Sequence, residues 1–146
     1  MIAIDTNILL RYLLADDKVQ ATKAAKLING SIPVLITDIV LVETIWTLKG
    51  KKYRLSKTEI IEVMHSLFAE PNIVFEDGQT VWQALNDYRQ AKPVGVSGNR
   101  READFPDALL VNKAKYCAAM KGEVLGTVYT FDQAAGAIPG TTIILD

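Results

Sequence analysis

The chain opens with Met1-Ile2-Ala3-Ile4-Asp5-Thr6-Asn7, a short apolar strand whose first polar residue is an aspartate. Thr6 and Asn7 are turn and helix-cap residue types, so the pattern predicts a strand that passes directly into a helix. In open α/β sheets, ligands bind beyond the carboxyl ends of the strands. Asp5 is therefore well placed to hold a divalent cation, although an aspartate at this position also suits a helix cap.

The rest of the chain alternates predicted strands with predicted helices. The strands are expected at residues 33–37, 73–75, 125–131 and 141–145, and the helices between them include residues 38–48, one that starts at Ser56 with Glu59 in a capping box, and one that ends near Met120. This alternation predicts an α/β fold, a three-layer α/β/α sandwich with a central, mainly parallel sheet. The length predicts a single domain spanning residues 1–146.

Composition narrows the class of protein. The hydrophobic fraction of 49% indicates a well-cored soluble protein, and no apolar run approaches the roughly 18 residues of a membrane span. With Cys117 and His65 as the only residues of their types, an intrachain disulfide and a zinc site are both disfavoured. We expect Cys117 to be a small buried residue, and the protein to be cytoplasmic with no secretion signal. The net charge of −1 gives no global attraction for nucleic acid.

Three further acids, Glu43, Asp107 and Asp132, also lie where a hydrophobic element ends or is interrupted. Glu43 interrupts the most apolar predicted helix, where a carboxylate needs either a partner or a place on the solvent face. Asp132 follows a predicted strand, as Asp5 does, and otherwise suits a turn. Each acid alone is weak evidence, but together the four indicate a metal-binding nuclease site.

The acids near residue 105 compete for one role. Asp104 and Asp107 flank Pro106 at a predicted helix start, with Asp104 at the N-cap and Asp107 at the third helical position. A carboxylate that accepts from backbone N–H groups is poorly available to a metal. We therefore favour Asp107 as the ligand and Asp104 as a cap or support, while the reverse stays open. Asp38 is interpreted as a helix N-cap only.

The four acid motifs, in order along nearly the whole chain, resemble those of the PIN-domain ribonucleases, particularly the VapC-type toxins of toxin–antitoxin pairs. The segment Ile4–Leu10 resembles the first motif of the family, with its invariant acid at Asp5 and Asn7 in support. Glu43 matches the helix glutamate, residues 104–110 resemble the third motif with its acid at Asp107, and residues 130–132 resemble the last, with Thr130 as a supporting hydroxyl.

The resemblance implies a Mg²⁺- or Mn²⁺-dependent endoribonuclease. Asp5 and Asp107 would be the primary metal ligands, and Glu43 and Asp132 would place a second metal or the attacking water. Gathered carboxylates repel one another unless a cation is present, and hard oxygen ligands favour these two metals. The family also implies an RNA substrate, a small antitoxin partner and a homodimer.

Other classes of protein remain as alternatives. A PIN-type nuclease in RNA processing outside a toxin system, and a non-catalytic PIN-like binding module, share the same fold. A receiver domain requires an acidic pair at its first strand, whereas Asp5 is followed by Thr6. A haloacid-dehalogenase-type phosphatase requires a second aspartate at the position of Asn7. Both classes are therefore disfavoured.

Basic residues suggest where RNA would bind. The breaker-rich stretch at residues 93–99 belongs to a loop that precedes the third motif. Arg100 and Arg101 lie in this loop, directly before the motif, and are predicted phosphate contacts. Arg11, on the first predicted helix, is another candidate. The cluster at residues 49–54 is better explained by cations at a helix C-terminus.

Overall fold

A computed structural model describes residues 1–95 and 98–145 of the chain. Two residues of the predicted loop, Val96 and Ser97, lie outside this description, as does the terminal Asp146. In the described ranges, no helix combines the length and the apolar character that crossing a membrane requires. The chain divides into two compact units, Met1–Gly78 and Gln79–Asp146.

The first unit is built from three parallel strands and four helices of the described chain. Its elements are β1 (Ile2–Ala3), α1 (Thr6–Leu14), α2 (Lys18–Ile28), β2 (Val34–Ile36), α3 (Asp38–Lys49), α4 (Lys57–Ala69) and β3 (Ile73–Phe75). The strands pair in the order β1-β2-β3, with Ile2 opposite Val34 and Val34 opposite Ile73. Because all three run the same way, Asp5 and the start of α3 lie at the same edge of the sheet.

Side-chain caps fix where these helices begin. The carboxylate of Asp17 accepts from the N–H of Gln20 at the start of α2, and the Thr37 hydroxyl accepts from Val40 at the start of α3. Each bond satisfies a backbone donor that has no partner inside the helix. Behind the caps, the core of the unit is aliphatic, with these side chains buried: Leu9, Ile28, Ile36, Leu41, Ile45, Leu48, Ile60, Met64 and Leu67.

The second unit contains α5 (Gly78–Gln90), whose first residue belongs to the first unit, and α6 (Phe105–Met120). It also contains the parallel strands β4 (Val128–Thr130) and β5 (Thr141–Ile143), with a 3-10 helix (Ala134–Ala137) between them. In its core, the buried rings of Tyr88 and Phe105 meet edge to face at 6.0 Å. This contact ties the start of α6 to α5.

The predicted α/β fold with parallel strands is confirmed, with differences in detail. The strands of the described chain pair as one group of three and one of two, and most are shorter than predicted. The predicted N-cap at Asp38 is wrong, because the Thr37 hydroxyl caps α3 and Asp38 is its first helical residue. The expected burial of Cys117 is also wrong, since the side chain is exposed near the end of α6.

Candidate active site

Asp5 is held at the junction between β1 and α1. Its backbone is extended, and its Oδ1 accepts from the N–H of Ile8 at 2.9 Å, so it is the N-cap of α1. The sequence pattern had left this role to Thr6 or Asn7 as well, and the structure gives it to Asp5. The residue is exposed. One hydrogen bond orients the carboxylate, while Oδ2 stays accessible for a ligand.

Glu43 belongs to the same side of the first unit. It lies on the exposed face of α3, and its Oε2 accepts from the hydroxyl of Thr6 at 3.3 Å. Its position in an apolar helix is therefore explained by the solvent face, while Val40, Leu41, Thr44 and Ile45 are buried. The hydrogen bond brings Glu43 to the residue that follows Asp5. The structure thus connects Glu43, through Thr6, to the segment that contains Asp5.

Arg11 lies one turn beyond Ile8 on α1, and its guanidinium is held by two neighbours. Nη1 forms an ion pair with Asp16 at 3.1 Å, and Nε donates to Oε1 of Gln20 at 2.6 Å. Burial would raise the pKa of the Asp16 carboxyl, but the hydrogen bonds and charge of Arg11 outweigh it and hold that pKa below its usual value. Arg11 is therefore oriented before any ligand arrives.

Asp104 and Asp107 form a reciprocal capping box at the start of α6. Asp104 Oδ1 accepts from the N–H of Phe105 at 2.9 Å, and Asp107 Oδ2 accepts from the N–H of Asp104 at 2.8 Å. The predicted N-cap role of Asp104 is seen in the structure. Asp107 also has a capping role, which the sequence interpretation did not give it.

The surroundings of Asp104 are those of a structural residue. Burial raises the pKa of the Tyr88 hydroxyl, and the negative charges of Asp104 and Glu102 raise it further. The Asp104 carboxylate is therefore near enough to this core tyrosine to act on it electrostatically.

Asp107 shares a small cavity with the last predicted motif. The cavity has a volume of about 80 Å³, and both Asp107 and Thr130 line it. The Thr130 hydroxyl accepts from the N–H of Asp132 at 3.0 Å, and Asp132 Oδ1 accepts from the N–H of Ala134 at 2.9 Å. The second unit thus brings Asp107, Thr130 and Asp132 into one neighbourhood, with Asp132 exposed in a turn.

Arg100 and Arg101 are exposed, as a phosphate contact requires. Arg101 is more ordered than a flexible loop implies, because its backbone N–H and C=O both bond to Val94, at 2.9 and 2.8 Å, in an antiparallel bridge.

The donor chemistry suits a hard divalent cation. The acids supply carboxylate oxygens, which Mg²⁺ and Mn²⁺ prefer. In residues 1–95 and 98–145, no group of three or more His, Cys, Asp and Glu side chains forms a cluster that could hold a metal ion. Mg²⁺ is usually bound through only one or two carboxylates together with water and substrate phosphates, so the residues fit the ion without such a cluster.

Two polar residues of this region had no role in the sequence interpretation. Thr6 had been assigned only as a cap type, yet its hydroxyl contacts Glu43. Lys23 lines a pocket together with Asp5. The sequence contains a signal for this residue, because the spacing of Gln20, Lys23, Ala24 and Leu27 places all four on one face of α2.

Comparison with known proteins gives the class of this chain. Residues 2–137 match the PIN domain family, and the chain belongs to that family. The chain is also similar to the crystal structure of VapC20 from Mycobacterium tuberculosis, a toxin that cleaves the sarcin-ricin loop. That similarity has 18% sequence identity, covers 94% of each chain and has a TM-score of 0.39. No curated protein matches the sequence.

Proposed function

We propose that this protein is a Mg²⁺- or Mn²⁺-dependent endoribonuclease that cleaves RNA phosphodiester bonds as the toxin of a toxin–antitoxin pair. The observation that carries the proposal is the family match over residues 2–137, which includes Asp5, Glu43, Asp107 and Asp132. A small antitoxin, a homodimer and a cytoplasmic location belong to the same proposal, because the VapC-type resemblance implies them.

In the first unit, Asp5 and Glu43 are the proposed acids. One carboxylate oxygen of Asp5 accepts a hydrogen bond from Ile8, and the other is accessible. This suits a metal ligand, because the side chain is oriented while one oxygen is left to bind the ion. Thr6 restrains Glu43, which therefore has a defined position despite its exposure. A cation bound by both carboxylates would offset the repulsion between their negative charges.

In the second unit, Asp107 is the proposed ligand and Asp132 its companion. Both Asp104 and Asp107 take part in the capping box of α6, and Asp107 also lines the cavity that Thr130 lines, which favours Asp107 as the ligand. Thr130 positions Asp132 by accepting from its backbone N–H. Thr130 is thus a proposed positioning residue, and Asp107 is the proposed third acid.

When bound, a divalent ion supplies polarisation of a phosphate oxygen and a lowered pKa for a bound water. The carboxylates themselves would orient the ion and accept the proton that the attacking water loses. Arg11 would contact the RNA backbone, and its guanidinium group is preorganised for this by its bonds to Asp16 and Gln20. Arg100 and Arg101 are proposed as further, exposed phosphate contacts.

The test is cleavage of a panel of tRNA and rRNA fragments by the purified chain, with Mg²⁺ or Mn²⁺ and with EDTA. Asp5→Asn should remain folded and lose cleavage, because asparagine caps a helix as well as aspartate does but is a poor metal ligand. The matched control is Asp17→Asn, the same change at the N-cap of α2. Cleavage that survives Asp5→Asn in a folded protein would reject the site.

A further inference from the structure

A groove between α1 and α2 adjoins Asp5 within the first unit. It has a volume of about 270 Å³ and is lined by Asp5, Asn7, Ile8 and Arg11 from one side and by Gln20, Lys23, Ala24 and Leu27 from the other. This volume is just below the range of about 300–1,000 Å³ that is typical of pockets for drug-sized ligands. The groove therefore suits one unit of a chain-like ligand.

The charges of the groove favour an anion. Asp5 contributes one negative charge, and Arg11 and Lys23 contribute two positive charges. Asp16 forms an ion pair with Arg11 and offsets its charge, so the attraction for an anion comes chiefly from Lys23. Lys23 is exposed on α2, so its ammonium group is accessible to a ligand. A lysine binds phosphate as a mobile point charge, which is the behaviour required beside a flexible single strand.

Arg11 adds a fixed donor to this anion site. Its Nη1 and Nε are occupied by Asp16 and Gln20, while Nη2, within the described chain, has no hydrogen-bond partner. A guanidinium group has five N–H donors in a rigid fork, so fixing two of its nitrogens also fixes the direction of the third. Less side-chain entropy is then lost when a ligand binds.

The remaining lining has the character that a ribose and a base require. Ile8, Ala24 and Leu27 supply apolar surface, and Leu27 is 40% exposed. Asn7 and Gln20 supply amide groups, which can both donate and accept hydrogen bonds. Proteins recognise single-stranded RNA by such a combination of backbone charge, contact with the base face and hydrogen bonds to its edges.

We propose that this groove binds one nucleotide of the RNA substrate next to the bond that is cleaved, with Lys23 and Arg11 on its phosphate and Leu27 against its base or ribose. This inference rests on the proposed function, since it uses Asp5 to mark the position of cleavage. Lys23, Gln20 and Leu27 thereby become substrate-binding residues, and Asp16 becomes a positioning residue for Arg11.

The experiment measures binding alone, in EDTA, so that cleavage plays no part. The probe is a fluorescein-labelled decauridylate, and its anisotropy is followed from 50 to 200 mM KCl. A plot of the logarithm of the association constant against the logarithm of the KCl concentration gives the salt slope. Lys23→Gln should reduce the magnitude of this slope by about 0.7, the value of one phosphate contact on a single strand. By the same relation, affinity should fall about eightfold at 50 mM and about threefold at 200 mM. Lys26→Gln, the same change elsewhere on α2, should leave both quantities unchanged.

A second pair of variants separates apolar contact from charge. Leu27→Ala should weaken binding by about fourfold, the equivalent of one buried methylene, with no change in the salt slope. Val19→Ala is the control, because Val19 is exposed on α2 and lies outside the groove. Equal effects of Lys23→Gln and Lys26→Gln, or no RNA binding by the wild-type chain, would overturn the inference.

The two proposals fail in different ways. RNA that binds through Lys23 but is never cleaved with any metal would keep the groove and reject the nuclease. Metal-dependent cleavage with identical binding by the Lys23 and Lys26 variants would keep the nuclease and reject the groove.

Discussion

The capping box at the start of α6 allows the structural and chemical roles of two neighbouring acids to be separated. Asp104→Asn keeps an oxygen that can accept from Phe105, and asparagine is as good an N-cap as aspartate. Asp107→Asn likewise keeps an oxygen for the N–H of Asp104. Each change therefore removes only a negative charge from the positive end of the helix dipole, a loss of about 0.3–1 kcal/mol in the free energy of unfolding.

Both variants should therefore be folded, with melting temperatures lowered by no more than about 4 °C. Asp104→Ala is the structural control, because losing the cap should cost about 0.5–2 kcal/mol. Cleavage should separate the pair. Asp107→Asn should lose at least about 100-fold in rate, equivalent to about 2.7 kcal/mol of transition-state stabilisation, while Asp104→Asn should keep most of its activity.

The assay compares the three variants with wild-type protein by thermal unfolding and by metal-dependent cleavage of the RNA panel. Loss of cleavage in Asp104→Asn with retention in Asp107→Asn would refute the assignment of the third acid and leave the nuclease intact. Loss in both variants with equal melting temperatures would show that the two carboxylates act as a pair.

Three further outcomes are expected. Thr6→Val should lower cleavage by about tenfold, or about 1.4 kcal/mol, by releasing Glu43; Thr6→Ser should restore it, and Thr22→Val on α2 should have no effect. Hydrogen bonds from the Ser56 N–H and hydroxyl hold the pKa of Glu59 below 4.5, so its stabilisation is complete above that pH and is lost as the pH falls through the lowered value. The difference between wild type and Glu59→Gln in the free energy of unfolding, measured with urea, should accordingly shrink from pH 7 to pH 3. A constant difference would contradict this. Gly140→Ala should cost about 1–2 kcal/mol, because its φ is +91° and the new Cβ would lie 3.0 Å from Val111, whereas Gly126→Ala, in open space, should not destabilise the protein.

Local signals in the sequence were sufficient for many of the elements. The capping box of Ser56 and Glu59 was predicted from spacing, and it is present at the start of α4. Asp104 was placed correctly at the start of α6 for the same reason. These features depend on residues three or four apart, so the sequence contains all the information they need.

Errors arose where a choice depended on neighbours distant in the sequence. Thr37 and Asp38 are both good caps, and the structure uses Thr37 while the N–H of Asp38 donates to Glu76 at 2.6 Å. Cys117 looked like a core residue by type, but it lies on the exposed side of α6. Residue type alone does not specify which face of a helix meets the core.

The candidate site was only partly accessible from sequence. The acids were found because each follows or interrupts an apolar element, which is a local pattern. The contact between Thr6 and Glu43 and the groove between α1 and α2 are formed by residues from separate elements, so no sequence window contains them. Their detection required the packing of the helices.

The carboxylate of Asp107 gives the protein an internal reporter. Its Oδ2 is the acceptor for the Asp104 amide proton, and the same side chain faces the cavity that it shares with Thr130. A ligand that draws this carboxylate toward the cavity must lengthen or break that bond. The amide resonance of Asp104, and its rate of exchange with solvent, would then change on occupancy, so an NMR titration could follow binding without substrate or label.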